Sequence, residues 1–246
     1  EFRRVLFRSV NEVHILPFFD FSSIDENKLY LNNYNWGYDP KNFMSLEGSY
    51  STDPTLGNIR IDEMKKMIQD LHKAGIGVIM DSVFNHTADY TQSCFNRTVP
   101  DYYYRENADG SMINNSGCGN DTASERSMFS KYMIDATTYW AKEYHIDGFR
   151  FDLMGLHDID TMNNVRADLN KINHHILMYG EGWNLGNEVT ISDDQKATKT
   201  NESKLNDNIA SFSDDMRDGI RGTVFSPATG GFVDYNGKWL DSKGKP

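Results

Sequence analysis

Two short apolar segments, each ending in an acidic residue, constrain the fold of this chain more than any other feature. The first is GFRFD at residues 148–152, and the second is ILMYGE at residues 176–181. Between them, apolar residues recur at helical spacing, at Ile159, Met162, Val165, Leu169 and Ile172. This order predicts a βαβ unit in which each of two parallel strands ends in a carboxylate.

The first segment also carries a charge pattern. Because successive side chains on a strand point to opposite faces, Arg150 and Asp152 share one face and the two phenylalanines share the other. A neighbouring guanidinium favours an ionised carboxylate, so we expect Asp152 to be unprotonated, as a nucleophilic carboxylate must be. A buried structural ion pair is the alternative interpretation of Arg-x-Asp on a strand.

The spacing of strands connects this pattern to a reaction. Neighbouring strands lie roughly 4.8 Å apart, and the two carboxyl groups of a retaining glycosidase are about 5 to 5.5 Å apart. Asp152 and Glu181 at the ends of neighbouring strands are therefore compatible with retaining glycoside hydrolysis.

Strands and helices alternate along the whole chain. Strands are predicted at residues 13–18, 77–81, 148–152, 176–181 and 209–212. The alternation predicts a parallel sheet, and active groups at the carboxyl ends of its strands are the pattern of a (β/α)8 barrel. A closed barrel needs eight strands, so this one is predicted to be incomplete. A doubly wound open sheet is the alternative, although no Gly-rich phosphate loop follows the first strand.

Composition limits the class of partner. The formal net charge of −11 argues against nucleic acid or an anionic membrane as a partner, because either would require a basic patch. Two cysteines, Cys94 and Cys118, form no disulfide framework or zinc site; two free thiols are expected, with one loop disulfide as the alternative. No apolar run is long enough for a membrane span, and nothing resembles a signal peptide.

The ends of the chain are interpreted separately. Residues 1–9, EFRRVLFRS, are basic in an acidic protein and lead into a strand without turn residues, so we interpret them as a non-native cloning scar. Residues 10–246 are then expected to be one partial catalytic barrel domain. The cellular compartment, cytoplasmic or secreted, stays open.

Three further segments carry polar or aromatic groups typical of a site. Residues 34–40, YNWGYDP, form an aromatic loop on which sugar rings could stack. The strand at 77–81 leads into DSVFNH at residues 81–86, which brings Asp, Asn and His close together. Residues 87–126 form a long irregular excursion of the kind that usually binds ligands or covers a site.

These segments resemble a known family. DSVFNH at 81–86, GFRFD at 148–152 and EGW at 181–183 look like three of the four signature regions of the α-amylase superfamily, glycoside hydrolase family 13. YNWGYDP at 34–40 is similar to the segment that marks the type I pullulanases within it. The resemblance covers about residues 10–240, with the four motifs in the family's order.

The resemblance implies a reaction and a substrate. It implies a retaining debranching hydrolase that cleaves α-1,6-glucosidic linkages in pullulan, starch or glycogen. Asp152 would be the nucleophile, Arg150 would hold it, and Glu181 would act first as general acid and then as base. No cofactor is required, and a structural calcium ion near Asn85 is compatible with the superfamily.

The resemblance also implies which residues hold the sugar. His86 would bind the sugar at the cleavage subsite, Tyr38 would stack under it, and Asp81 would support the site from its strand end. Trp36 and Trp183 would line adjoining subsites.

The sequence departs from the family in its fourth region. No His-Asp pair follows Phe212, and His157-Asp158 comes too soon after the nucleophile strand to replace it. The five predicted strands would be the family's second to sixth, so we interpret the chain as an interior fragment of the barrel and expect weak activity or none.

Three alternatives stay open. The chain could be a non-catalytic α-glucan-binding fragment or another α-glucan hydrolase of the same superfamily. It could also be a metal-dependent barrel hydrolase with Asp81, His86, Asp152 and Glu181 as ligands, although Arg150 would repel a cation there.

Overall fold

The computed structural model describes residues 10–186, 188, 190–224 and 230–233. The predicted non-native segment 1–9 lies outside these residues. The described chain divides into two units, one ending at Ser211 and the other beginning at Phe212.

Strands and helices alternate in the first unit as the sequence predicts. The described strands are β1 (Glu12–Ile15), β2 (Phe19–Phe21), β3 (Pro40–Leu46), β4 (Gly77–Ser82), β5 (Gly148–Phe151), β6 (Leu177–Gly180) and β7 (Ala210–Ser211). The described α-helices are α1 (Gly57–Lys73), α2 (Cys94–Thr98), α3 (Ser127–Glu143), α4 (Ile159–Ile172) and, in the second unit, α5 (Asp214–Arg221).

One parallel sheet organises the first unit. Its strands lie in the order β1-β4-β5-β6-β7, and each neighbouring pair is parallel. Spatial order thus follows chain order, without the reversal that defines a doubly wound sheet. All five predicted strands of the sheet are present, and the described sheet has the arrangement of part of a β/α barrel.

The two faces of this sheet differ in chemistry. Apolar side chains on one face are buried, and they include Val78, Met80, Phe149, Phe151 and Met178. The other face carries polar groups, because Asp81, Arg150 and Tyr179 occupy matching register positions on β4, β5 and β6. This polar face is where the site lies.

Three helices bury their inner faces in the same core, and α1 contributes Ile68. α3 contributes Met133, Ala136 and Trp140, which are at most 1 % exposed, and α4 contributes Val165 and Leu169, which are fully buried. Ser127 is the first residue of α3, and Arg126 at the cap position makes no side-chain capping bond.

An antiparallel hairpin was absent from the sequence prediction. The first predicted strand, 13–18, ends at Ile15, and the chain then forms β2, which pairs with β3. The misassignment has a physical cause: apolar residues run continuously through Pro17, so periodicity alone does not separate two short strands.

Aromatic rings connect the hairpin to the main sheet. Phe43 on β3 stacks on Phe84, with ring centroids 5.2 Å apart, and Phe84 lies 6.2 Å from Phe151 on β5. Phe19 on β2 lies 5.5 Å from Phe43. We call Phe19, Phe43, Phe84 and Phe151 the aromatic column. Two of its members, Phe84 and Phe151, directly precede Asn85 and Asp152, so the column fixes the segments that carry these two residues.

The excursion at 87–126 is mostly irregular, as predicted. It contains the short helix α2, and isolated bridges join Tyr104 to Thr122 and Glu106 to Met112. Cys94 and Cys118 are both free thiols. Among the described helices, none has the length and apolar character needed to cross a bilayer.

Candidate active site

Register brings the predicted acids together. Asp81 on β4 pairs with Arg150 on β5, and Asp152 and Glu181 follow at the next position on the same face of β5 and β6. His14 on β1 pairs with Ile79, so it also shares this face. The polar cluster therefore lies at the carboxyl ends of parallel strands.

Arg150 is the centre of the cluster. Its Nη1 lies 2.7 Å from Asp81 Oδ1 and 2.8 Å from Asp152 Oδ1, and its Nη2 lies 2.8 Å from Glu181 Oε1. Burial opposes the charge of the guanidinium, but the three carboxylates outweigh burial and raise the pKa of Arg150. One permanent cation is thus shared among three acids.

Asp152 is held from two sides. Asn85 Nδ2 donates to Asp152 Oδ2 at 2.9 Å and to the Asp152 carbonyl at 2.9 Å, while Arg150 holds the other carboxylate oxygen. Burial nevertheless raises the pKa of Asp152, with Arg150 and Asn85 opposing the rise and Glu181 adding to it. Arg150 favours the ionised form of Asp152 as expected, but the opposing effect of desolvation on its pKa is larger.

Both oxygens of Glu181 hold N–H groups. Arg150 Nη2 contacts Oε1, and the Leu153 amide donates to Oε2 at 3.0 Å. Leu153 has a φ of 43°, a left-handed conformation that is strained for a branched residue. The turn directly after β5 thus directs a backbone amide at Glu181.

Tyr38 lies beside Asp81 and Arg150. Its hydroxyl donates to Asp81 Oδ2 at 2.6 Å, and the Arg150 guanidinium carbon lies 5.9 Å from the centre of its ring. Burial and the bond to Asp81 raise the pKa of Tyr38. The preceding Gly37 has a φ of 88°, and a Cβ there would lie 2.8 Å from the Pro17 carbonyl oxygen, so the turn requires glycine.

His86 is buried between two oxygen acceptors. Its Nδ1 lies 2.6 Å from Asn85 Oδ1, and its Nε2 lies 2.9 Å from the Tyr38 carbonyl oxygen. Burial lowers the pKa of His86 to about 4, so its ring is neutral at neutral pH. Since a neutral ring has one N–H, only one of the two contacts is a donated hydrogen bond.

The two predicted tryptophans lie at different positions. Trp36 is 63 % exposed in the loop before Gly37. Trp183 is half-buried two residues after Glu181, and its carbonyl oxygen lies against Gly155. Their roles in sugar binding stay predictions.

The cluster does not fit a catalytic metal. The Arg150 guanidinium occupies the space between Asp81, Asp152 and Glu181, and His86 already faces two protein oxygens. The amide of Asn85 is likewise engaged at both ends, by Asp152 and His86, so its side chain is not placed to bind the calcium ion that the resemblance allows near it.

Another set of acids has oxygens of the kind calcium prefers. Within the described part of the chain, carboxylate oxygens of Asp20, Glu26 and Glu47 lie within 4.8 Å of one another. Arg60 already pairs with Glu26, and Glu47 accepts the Phe21 amide. An ion there would stabilise the hairpin and would not touch the acid pair.

The polar cluster does not lie in the groove of about 1000 Å³ found elsewhere on the first unit. That groove lies beside α3 and α4, and none of the cluster residues lines it. We place the site at the cluster because its charges and hydrogen bonds converge there.

Two contributors were not assigned from sequence. Asn85 was noted only as a possible support for a cation, yet it holds Asp152. His14, whose Nε2 lies 3.2 Å from Asp81 Oδ2, was treated as part of an apolar strand. A polar residue on the same face as Asp81, within an otherwise apolar strand, was the available signal.

Several known proteins are similar to this chain in both sequence and fold. The family described as "Alpha amylase, catalytic domain" matches residues 9–117. The pullulanase of Bacillus subtilis is 42 % identical over 229 residues, covering 93 % of this chain and 31 % of that protein. Pullulanase A of Streptococcus pneumoniae is 35 % identical over 224 residues, covering 86 % of this chain and 17 % of that protein.

Solved structures give the same result. The pullulanase of Paenibacillus barengoltzii, in complex with maltohexaose and α-cyclodextrin, superposes with a TM-score of 0.90 at 45 % identity. That match covers 94 % of this chain and 36 % of the other. The type I pullulanase of Bacillus subtilis with maltose superposes with a TM-score of 0.88 at 42 % identity, covering 93 % of this chain and 32 % of the other.

The polar end of a parallel barrel sheet, together with these likenesses, places the chain in the α-amylase superfamily, glycoside hydrolase family 13. Its fold class is the (β/α)8 barrel of that family, of which the described residues hold five strands. Both relatives and both structures above are pullulanases, so the likeness within the superfamily is to that group. The chain spans less than a third of the length of these curated relatives.

Proposed function

We propose that this chain carries the acid pair of a retaining α-glucan hydrolase that cleaves α-1,6 branch linkages in pullulan, starch or glycogen. The observation that carries the proposal is the pairing of Asp152 and Glu181. They lie at the ends of adjacent parallel strands, and one guanidinium contacts both at 2.8 Å. Neighbouring strands lie roughly 4.8 Å apart, so this placement is compatible with the separation of about 5 to 5.5 Å that retaining glycosidases need.

Each acid has its own step in this mechanism. Asp152 attacks the anomeric carbon while Glu181 gives a proton to the departing glycosidic oxygen, which leaves a glycosyl ester on Asp152. Glu181, now ionised, takes a proton from the water that cleaves the ester. N–H groups contact both Glu181 oxygens in the free protein, and these contacts favour its ionised form, the form that acts as base in the second step.

The surrounding residues are assigned to binding. Tyr38 offers a ring face beside Arg150, and the neutral ring of His86 sits between Asn85 and the Tyr38 backbone. Asp81 anchors both Tyr38 and Arg150. Trp36 and Trp183 extend the aromatic surface for neighbouring sugars, since flat rings with polar edges suit pyranose faces.

The preference for branch linkages has separate support. It rests on YNWGYDP at 34–40 and on relatives whose names are pullulanases. The structures of such relatives hold maltohexaose, α-cyclodextrin or maltose, which are α-glucans. A net charge of −11 fits a neutral polysaccharide and disfavours nucleic acid or an anionic membrane.

A second candidate function is α-glucan binding without turnover. It is favoured by one observation: no histidine follows His175, so the family's His-Asp pair is absent from this chain.

Release of reducing ends from pullulan tests the proposal against this alternative. We expect slow release with maltotriose as product, and its loss in Asp152→Asn. The matched control Asp62→Asn changes an exposed aspartate on α1 and should behave as the parent. Release that survives in Asp152→Asn contradicts the assignment of the nucleophile. Binding of maltotriose without any release, in parent and variant alike, supports the second candidate.

A further inference from the structure

His14 contributes to the site although it touches neither acid of the pair. Its Nε2 lies 3.2 Å from Asp81 Oδ2, and its Nδ1 lies 3.4 Å from the Tyr179 hydroxyl. The two rings meet edge-on, with centroids 6.1 Å apart. His14 and Tyr179 come from β1 and β6, so this contact crosses the polar face of the sheet.

The partners of His14 fix where its proton lies. A carboxylate can only accept, so Nε2 carries the hydrogen towards Asp81. Nδ1 then faces a hydroxyl that can donate, and the ring is held as the Nε2–H tautomer. This is unlike His86, where both nitrogens face acceptors.

Asp81 is the link from His14 to the reacting groups. Its side chain is 1 % exposed, and it accepts from three groups: Arg150 at Oδ1, and Tyr38 and His14 at Oδ2. A buried carboxylate needs such donors, because each donor that is lost leaves part of its negative charge buried without a hydrogen bond. Arg150 Nη1 is shared almost equally between Asp81 and Asp152, at 2.7 and 2.8 Å.

We propose that His14 is a positioning residue: it donates to Asp81 and thereby keeps Arg150 Nη1 shared between Asp81 and Asp152. This inference rests on the proposed function, since it concerns the same nucleophile. When the His14 donor is lost, Asp81 attracts Arg150 Nη1 more strongly. Asp152 then loses part of its cationic partner, and its ionised form becomes less favourable.

The test uses the full chain and two readouts that need no turnover. Nitrogen NMR of histidine-labelled protein at mildly alkaline pH reports the His14 tautomer. Carbon NMR of aspartate-labelled protein reports the titration of Asp152. The variants are His14→Phe, which keeps a ring without a donor, and His14→Gln, which keeps an N–H near the position of Nε2. His175→Phe, an exposed histidine at the other end of the strands, is the control.

We expect the Nε2–H tautomer for His14 in the parent and also in Tyr179→Phe, because the contact with Asp81 fixes the hydrogen on Nε2 in both. The titration of Asp152 should move to higher pH in His14→Phe, and should stay near the parent in His14→Gln and His175→Phe. Where turnover is measurable, kcat should fall about tenfold or more in His14→Phe, with a smaller change in KM.

Two results overturn the inference: an Nδ1–H tautomer or an unrestrained ring for His14 in the parent, or an unchanged Asp152 titration in folded His14→Phe. If His14→Phe does not fold, the tautomers of the parent and Tyr179→Phe still decide. Absence of glucan hydrolysis in the parent counts against the proposed function and leaves both NMR readouts valid.

Discussion

At the scale of single residues, the site is a balance between burial and charge. Asp152 is raised in pKa by burial even though Arg150 and Asn85 both favour its ionised form. Arg150 remains charged because three carboxylates surround it. Removal of either donor to Asp152 should therefore raise its pKa further, and the pH dependence of the reaction should shift with that pKa.

The pH dependence gives the first prediction. Asp152 must be ionised to attack, so activity is lost as pH falls through its pKa, and the acid limb should lie above the ordinary aspartate value of 3.8. Asn85→Ala removes a donor that lowers this pKa, so its acid limb should move to still higher pH. The measurement is kcat/KM for maltotriosyl fluoride against pH. An acid limb at or below 3.8 in the parent would refute the burial argument.

The stability contribution of Asp152 follows from the same shift. A carboxyl group whose pKa is raised in the folded state favours folding at low pH, where it is protonated. That contribution is lost as pH rises through the folded-state pKa. The active form of Asp152 is thus the less stable form, in keeping with strain at a functional site.

The sequence predicted which residues meet, but only part of how they interact. The alternation of side chains on β5 and the order of the strands predicted that Arg150, Asp152 and Glu181 lie on one face. The observed strand register agrees. Periodicity could not predict the left-handed backbone at Leu153, which directs its amide to Glu181, or the contact between His14 and Asp81. Both depend on where a turn and a distant strand lie in space.

At the scale of elements, the aromatic column connects the hairpin to the segments that carry the site. Phe84 is 1 % exposed, stacks on Phe43, and lies directly before Asn85. We predict that Phe84→Ala lowers the free energy of unfolding by about 3 to 5 kcal/mol, because it leaves a cavity in a closely packed core. Denaturant unfolding measures it.

The control for this prediction is an exposed ring. Tyr30 is 77 % exposed, so Tyr30→Ala should change the free energy of unfolding by less than about 0.5 kcal/mol. Equal effects of the two substitutions would mean that the column does not stabilise the fold.

A close approach of backbone gives the next prediction. A Cβ on Gly155 would lie 2.0 Å from the Trp183 carbonyl oxygen, and the Gly155 amide donates to the Glu181 carbonyl at 2.9 Å. Gly155→Ala must therefore displace the segment after β6. We expect a loss of about 1 to 3 kcal/mol in the free energy of unfolding, together with weaker activity.

Gly57→Ala is the matched control for Gly155→Ala. A Cβ on Gly57, at the start of α1, meets nothing within 4 Å. It should be neutral or slightly stabilising, by about 1 kcal/mol at most, since alanine favours helix. If Gly155→Ala were equally well tolerated, the close contact with Trp183 would have no energetic weight.

Element prediction succeeded where the period was clear and failed where it was short. The apolar spacing over 159–172 predicted α4 at its observed bounds. The hairpin β2–β3 was missed because its first strand has three residues, and its pairing contains register shifts. Short antiparallel strands are specified by their partner, which is distant in sequence.

At the scale of the whole molecule, the proposed ligand is neutral although the protein is strongly acidic, and this predicts how salt affects ligand binding. Maltotriose should raise the melting temperature, because a ligand that binds only the folded state stabilises it. The shift should be nearly independent of salt, since the sugar carries no charge to screen. A differential scanning measurement across salt concentrations checks this, with Trp36→Ala expected to show a smaller shift. A shift that vanishes at high salt would contradict a neutral-sugar site.

The central claim is that Asp152 forms a covalent bond to the sugar. Maltotriosyl fluoride needs no acid to leave, whereas hydrolysis of the ester needs the base, so Glu181→Gln should accumulate the glycosyl-enzyme. Peptide mass spectrometry of that reaction is the most direct measurement. The account predicts one maltotriosyl group on the peptide that contains Asp152, absent when Asp152→Asn is added. A group attached elsewhere, or no attachment at Asp152, would contradict it.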